Sequence, residues 1–230
     1  MTNKSLSKKI FRRRIINSIT PRSILKLSHR KNISKKHWKN QKEGTNHGFE
    51  HYIQVSENWF PLLEIELEKH ANFDSKILDL GCNCGAYINA LNQKGYNNIY
   101  GIDISRNALE YGENKFSIPK NRLFCGSFEE KLIELKKENK SFDIIYTIGA
   151  TLEVVHPSFD IIKSLSALCT QYILLIISES GHAYPRFWRY EFEKNGFNLI
   201  KLYKPFSDKK NYNKELLNHD MTVMVFMKSD

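Results

Sequence analysis

Residues 1–42 contain no acid. They hold 14 of the chain's 35 Lys and Arg, and Glu43 is the first carboxylate. The remaining residues therefore carry 21 bases against 25 acids, so the formal net charge of +10 describes a basic arm and not a basic body. No apolar run approaches the ~20 residues of a membrane-spanning helix. The N-terminus lacks the apolar core of a secretory signal. Cysteine is scarce: Cys82, Cys84, Cys125 and Cys169 form no CxxC and no paired zinc spacing. No metal site is expected, and reduced thiols in the cytoplasm are the simplest reading. Internal repeats are absent. A length of 230 residues suits one domain (43–230) with an appendage (1–42).

What is present centres on Lys76–Tyr87, KILDLGCNCGAY. Ile77, Leu78 and Leu80 read as a short buried strand, Gly81–Gly85 as a turn, and Ala86 onward as a helix stopping at Gly95. This is the phosphate- or nucleoside-binding corner of an open α/β sheet, where backbone N–H groups and a positive helix end face the ligand. A dinucleotide site needs glycine at the first, third and sixth places of the turn, because a pyrophosphate must approach bare backbone. Here those places are Gly81, Asn83 and Ala86, so a ligand without a pyrophosphate fits better. Asn tolerates the left-handed backbone that the third place requires.

The rest alternates strand and helix. Asn98–Asp103 is a second strand ending in an acid, whose two coplanar oxygens suit the two hydroxyls of a ribose. Ser105 caps a helix through Phe116. Arg122–Gly126 is a third strand, and Ser127-Phe128-Glu129-Glu130 has capping-box spacing for a helix through Lys137. Phe142–Ile148 is a fourth strand, followed by Thr151-Leu152-Glu153-Val154-Val155-His156-Pro157 and a helix to about Cys169. Tyr172–Ser178 is a fifth strand ending at Glu179. Gly181–Arg186 leads into a helix ending near Gly196. Phe197–Tyr203 and Met221–Met227 are two last strands joined by a polar loop. Before the first strand, Tyr52 to Leu67 carries a helix-like apolar face interrupted at Pro61, with Tyr52 and Trp59 as candidates for a cleft wall.

Asp79 before the glycine turn, with Asp103 after the second strand, resembles the class I S-adenosylmethionine (SAM) methyltransferases over about residues 45–230. The resemblance implies a Rossmann-like α/β fold with a seven-stranded, mostly parallel sheet whose last strand is reversed, and SAM as cofactor. It implies cofactor contacts from Asp79, Gly81, Cys82, Asn83, Gly85, Asp103, Ile104, Ser127, Phe128 and Thr147. More narrowly, Leu152–Pro157, Glu179 and Pro185-Arg186-Phe187-Trp188 resemble small methyltransferases of surface-polysaccharide and nonulosonic-sugar gene clusters, with Val154 standing where those proteins have a histidine. That likeness implies methyl transfer to an oxygen of a saccharide or similar small polar acceptor. His156 would be the proton acceptor, because its ordinary pKa lies near neutrality. Glu153 and Glu179 would orient it or bind substrate hydroxyls, and Arg186 would bind an anionic part of the substrate.

Two other functions fit parts of the chain. An RNA methyltransferase would use the basic arm on phosphates. However, Thr147-Ile148-Gly149-Ala150 is not the (N/D)-P-P-(Y/F) run that serves exocyclic amines, and the body lacks a broad basic face. A non-catalytic SAM-binding protein is the other. In the arm, Ile10, Phe11, Ile15, Ile16 and Ile19 recur near helical spacing among Lys8, Lys9 and Arg12–Arg14. This pattern suits an anionic membrane surface, RNA or a cleaved presequence.

Overall fold

The computed structural model describes residues 3–27, 33–40, 48–149, 152, 155–178, 184–205 and 221–229. In chain order these form α1 (Asn3–Ile19), α2 (Arg22–Leu27), α3 (Ile33–Lys39), α4 (Phe49–His70), β1 (Ile77–Leu80), α5 (Ala86–Gln93), β2 (Ile99–Asp103) and α6 (Arg106–Phe116). They continue with β3 (Leu123–Cys125), α7 (Phe128–Lys137), β4 (Phe142–Ile148), α8 (Ile161–Leu168), β5 (Cys169–Ser178), α9 (Trp188–Lys194), β6 (Phe197–Tyr203) and β7 (Met221–Lys228).

Seven strands make one sheet in the order β3-β2-β1-β4-β5-β7-β6. The strands from β3 to β5 run parallel, and β7 is antiparallel to both β5 and β6. All four residues of β1 are buried, as a parallel strand covered on both faces requires. On one face Trp59, Leu63 and Leu67 of α4 and Ile88 and Leu91 of α5 join the core. The other face is covered by Leu132 and Leu135 of α7, Ile161 and Leu165 of α8, and Phe192 of α9. Strand order reverses between β1 and β4, and the crevice beyond their C-terminal ends is where such sheets take ligands.

The expected strands all appear, with small shifts. The fifth begins at Cys169 and not Tyr172, because α8 already ends at Leu168. The polar loop expected before β7 lies largely on residues 206–220, outside the described residues. Pro61 does not interrupt its helix: α4 runs unbroken from Phe49 to His70. A buried row on both sides of the proline (Ser56, Trp59, Leu62, Leu63, Glu66 and Leu67) holds the helix against the sheet. Glu66 Oε1 also accepts from Lys201 (2.6 Å), Tyr203 (2.8 Å) and Lys69 (3.2 Å), fastening α4 to β6. Burial pushes this carboxyl up, but those three donors outweigh burial and hold it below the ordinary range.

The basic arm lies against the body. Asn17 Nδ2 donates to Pro185 O (2.9 Å), Ser18 Oγ donates to Glu191 (2.7 Å), and Phe187 N donates to Ser18 Oγ (2.8 Å). Arg22 bonds the carbonyls of Asn17 (3.0 Å) and Pro157 (2.8 Å) and pairs with Glu191 at 3.0 Å. Alongside these polar contacts, the Phe11 ring meets Phe187 edge-on at 5.6 Å.

Candidate functional site

The cradle forms where β1 ends. Gly81 N and Cys82 N both donate to Ile102 O (2.9 and 3.1 Å), so β2 supports the turn. Asn83 adopts φ 50°, and its Oδ1 accepts from Cys84 N at 2.7 Å, the local bond that makes the left-handed region accessible to Asn. Gly85 follows at φ 74° as the N-cap of α5. A Cβ on it would lie 2.6 Å from Ile118 Cδ1. Behind the turn, a Cβ on Gly112 of α6 would lie 2.0 Å from Cys84 O, so helix and turn touch backbone to backbone.

Asp103 is tied to this turn. Its Oδ2 accepts from Asn83 N (2.9 Å) and its Oδ1 from Ser105 N (2.8 Å). Burial raises the carboxyl above its ordinary range, opposed by these backbone donors and that of Ile104. Each oxygen keeps acceptor capacity for a ligand hydroxyl. Next to Asp103 is a cavity of about 280 Å³, walled by Gly81, Asn83, Asp103 and Ile104 and by Ser127 and Phe128 at the start of α7. Ser127 also caps α7 through the expected reciprocal box, its Oγ taking Glu130 N while Ser127 N donates to Glu130 Oε2 at 3.1 Å. The opposite wall comes from His51, Tyr52 and Val55 of α4 and from Lys35 and Trp38 of α3. Lys35 pairs with Glu129 across the rim.

Asp79 lies beneath this surface. It is 2 % exposed, and its Oδ2 has no hydrogen-bond partner among the described residues. Burial pushes its carboxyl up to about 8; the Tyr146 hydroxyl nearby opposes the shift and the Asp103 carboxylate adds to it. Tyr52, Tyr87 and Tyr146 all feel the Asp79 charge, and burial raises each phenol.

Several expected site residues lie elsewhere. The Cys82 thiol points into the core, where a Cβ on Gly101 would meet it at 2.5 Å, so it does not face the cavity. Thr147 Oγ1 donates to Leu80 O at 2.9 Å and ties β4 to β1. Arg186 is not an open anion receptor. Its side chain is fully buried, donating to Val155 O (3.2 Å) and pairing with Glu191 at 3.3 Å. Burial lowers its pKa against the opposing pull of Glu191. Trp59 belongs to the core and not to the cavity wall. Glu153, Val154 and Glu179 lie outside the described residues.

His156 is described and buried, next in sequence to Val155 of the cavity wall. Its Nδ1 lies 2.8 Å from Ser158 Oγ and accepts from Ser158 N at 3.2 Å, and its ring meets Tyr184 edge-on at 5.0 Å. The backbone donor favours the neutral ring with its proton on Nε2. The other tautomer, with Nδ1–H donating to Ser158 Oγ, is the one whose Nε2 can take a proton.

The walls supplied by His51, Lys35 and Trp38 were not legible as site residues. They reach the cavity through the packing of α3 and α4, which no local motif encodes. A single tryptophan in an otherwise basic, weakly patterned stretch was the available signal.

Residues 77–170 match the sequence profile of the family described as "Methyltransferase domain". No curated protein matches the chain. Among solved structures, magnesium protoporphyrin IX methyltransferase from Synechocystis PCC 6803, with bound SAM, is similar at 14% identity and TM-score 0.57, over 92% of this chain and 99% of that one. A TehB-like SAM-dependent methyltransferase from Corynebacterium glutamicum is similar at 18% identity and TM-score 0.57, over 79% and 98% of the two chains. A SAM-dependent methyltransferase from Clostridium acetobutylicum gives 15% identity and TM-score 0.57, over 76% and 92%. At these identities the shared property is the fold.

Proposed function

We infer that this chain is a class I SAM-dependent methyltransferase that moves a methyl group to an oxygen of a saccharide or a similar small polar acceptor. The observation that carries the acceptor reading is His156, held by Ser158 in the segment that follows β4 and next in sequence to Val155 of the cavity wall.

The cradle fits the cofactor. An unpartnered carboxylate oxygen at Asp79 suits the cationic amino-acid and sulfonium end, and Asp103 offers both its oxygens to ribose hydroxyls. Phe128 and Ser127 would take the adenine, with Gly81 and Asn83 along the edge between. SAM, when bound, supplies an electrophilic methyl on a sulfonium. Tyr52 and Trp38, on the opposite wall, exclude water from it. A cavity of about 280 Å³ is at the small end for ligand sites, so the acceptor enters at the mouth, near Ile148 and Gly149 at the end of β4. Holding the acceptor oxygen in line with the methyl supplies most of the rate. A sugar hydroxyl must also lose its proton during transfer, and His156 takes it once Nδ1–H donates to Ser158 Oγ.

The test is methyl incorporation from labelled SAM into sugar nucleotides, lipid-linked glycans and total RNA. The reading requires label in a glycan ether. Incorporation confined to RNA supports the nucleic-acid alternative, and tight SAM binding with no incorporation supports a non-catalytic role. With an acceptor in hand, His156→Ala should lower turnover by ~10²–10⁴. Ser158→Ala, which keeps the backbone donor but removes the hydroxyl, should lower turnover without altering SAM affinity. Full turnover in Ser158→Ala would leave His156 as a turn cap only.

A further inference from the structure

The exposed side of α1 has an inverted character. A helix lying on a water-soluble body turns its apolar side inward and its polar side outward. Here the docked side is held mainly by polar contacts, Asn17 bonded to Pro185 and Ser18 to Glu191, with one aromatic contact between Phe11 and Phe187. The outer side presents Ile15 and Ile19 at four-residue spacing, 39% and 60% exposed, with Ile16 beside them at 43%, while Phe11, 57% exposed, also sets its ring edge-on against Phe187 of the body at 5.6 Å. Ile24 of α2 adds a further side chain at 56%. Lys8, Lys9 and Arg12 are exposed among these apolar groups, and the arm contains no carboxylate.

The surface continues onto the body. A groove of about 490 Å³ begins at Ile19 and Arg14 and runs past Tyr190 and Leu202, which are 46% and 58% exposed. Glu193 is its one lining acid among the described residues, and it already pairs with Arg189 at 2.7 Å.

We propose that this face of α1–α2, with the adjoining groove, docks on an anionic lipid bilayer. Aliphatic side chains at such density gain nothing from an RNA backbone but gain from acyl chains at the headgroup boundary. The bases among them match the charge of the same surface, each strengthening attachment about fivefold and subject to screening by salt. No helix among the described residues is long and apolar enough to cross a membrane, so attachment is peripheral. The proposal stands apart from the choice of acceptor.

Vesicle co-sedimentation of the full chain tests it, using equal parts phosphatidylglycerol and phosphatidylcholine against phosphatidylcholine alone, with a transfer RNA competitor. The expected result is binding only to the anionic vesicles, release by salt, and no displacement by stoichiometric RNA. Ile15→Ser with Ile19→Ser should weaken vesicle binding about tenfold or more while leaving the melting temperature and SAM affinity unchanged. Lys8→Gln with Arg12→Gln should weaken it by a similar factor. Binding that ignores the isoleucine changes is surface adsorption and overturns docking, as does equal binding to both vesicle types. Preferential RNA binding replaces the membrane with the nucleic-acid partner.

Discussion

At the scale of single residues, the carboxyl of Asp79 sets a pH dependence. It is fully buried in the ligand-free fold and retains its proton up to about pH 8, whereas in the unfolded chain it releases it near 3.9. Between those values the unfolded state is the more deprotonated, so Asp79 makes the fold progressively less stable as pH rises from about 4 to 8. Asp79→Asn should therefore raise the melting temperature of the ligand-free protein at pH 8 and change it little near pH 4. SAM affinity should fall about tenfold or more in the same variant, since a carboxylate paired with a cationic ligand contributes about 1.5–3 kcal/mol. In the wild type, SAM affinity should strengthen as pH rises toward 8. Thermal melts and calorimetry across that range check all three. Asp103 and Ser127 were legible in the sequence because an acid ending a strand and an S-x-x-E box are local signals. Cys82 was not, because the direction of a side chain within a turn depends on what packs behind it, here Gly101 of β2.

Among elements, the contact between α6 and the turn is the least tolerant. Gly112→Ala puts a methyl against the Cys84 carbonyl, which belongs to backbone and cannot swing aside. The expected outcome is a loss of about 1–3 kcal/mol of stability, the usual range for an overpacked site, together with weaker SAM binding because the same turn carries Asn83. Denaturant unfolding and calorimetry on one preparation check it. A stability loss without any change in SAM affinity would show that α6 yields and the turn does not. From the sequence, Gly112 was only a weak helix former inside an otherwise regular helix, and nothing local announced the close approach. Strands β1 to β5 were legible because each buried run ends at a Gly, Asp or Ser punctuation. Pro61 misled for the same reason: the local break signal is real, but α4 is held by the sheet beneath it.

For the molecule as a whole, the arm is part of both corner and cavity. Glu191 is 3% exposed and receives Arg22, Ser18 and Arg186. Deleting residues 1–42 removes two of those partners as well as Lys35 and Trp38 from the cavity wall. A chain starting at Glu43 should melt lower, by the equivalent of about 1–3 kcal/mol for the donors lost from a buried carboxylate, and should bind SAM more weakly. Scanning fluorimetry and calorimetry on the two chains check this, and equal values would mean that the arm is energetically idle. The charge step at Glu43 made the arm visible in the sequence. Its docking was invisible, because the residues that attach it, Asn17, Ser18 and Arg22, carry no periodic pattern.

The position of β7 has a consequence for how the chain is made. Met221–Lys228 lies between β5 and β6, yet it is synthesised after both. Until it leaves the ribosome, Ile173–Ile177 presents an apolar strand with one side unpaired, and Phe197–Tyr203 has no neighbour to pair with. At roughly 5–20 residues per second, that interval lasts some seconds. The sheet therefore closes only after nearly all of this sequence has been translated, and the nascent chain passes through a state that invites strand addition from other chains. Its yield in a cell should depend on chaperones that cover an exposed β edge, more than the stability of the finished fold would suggest.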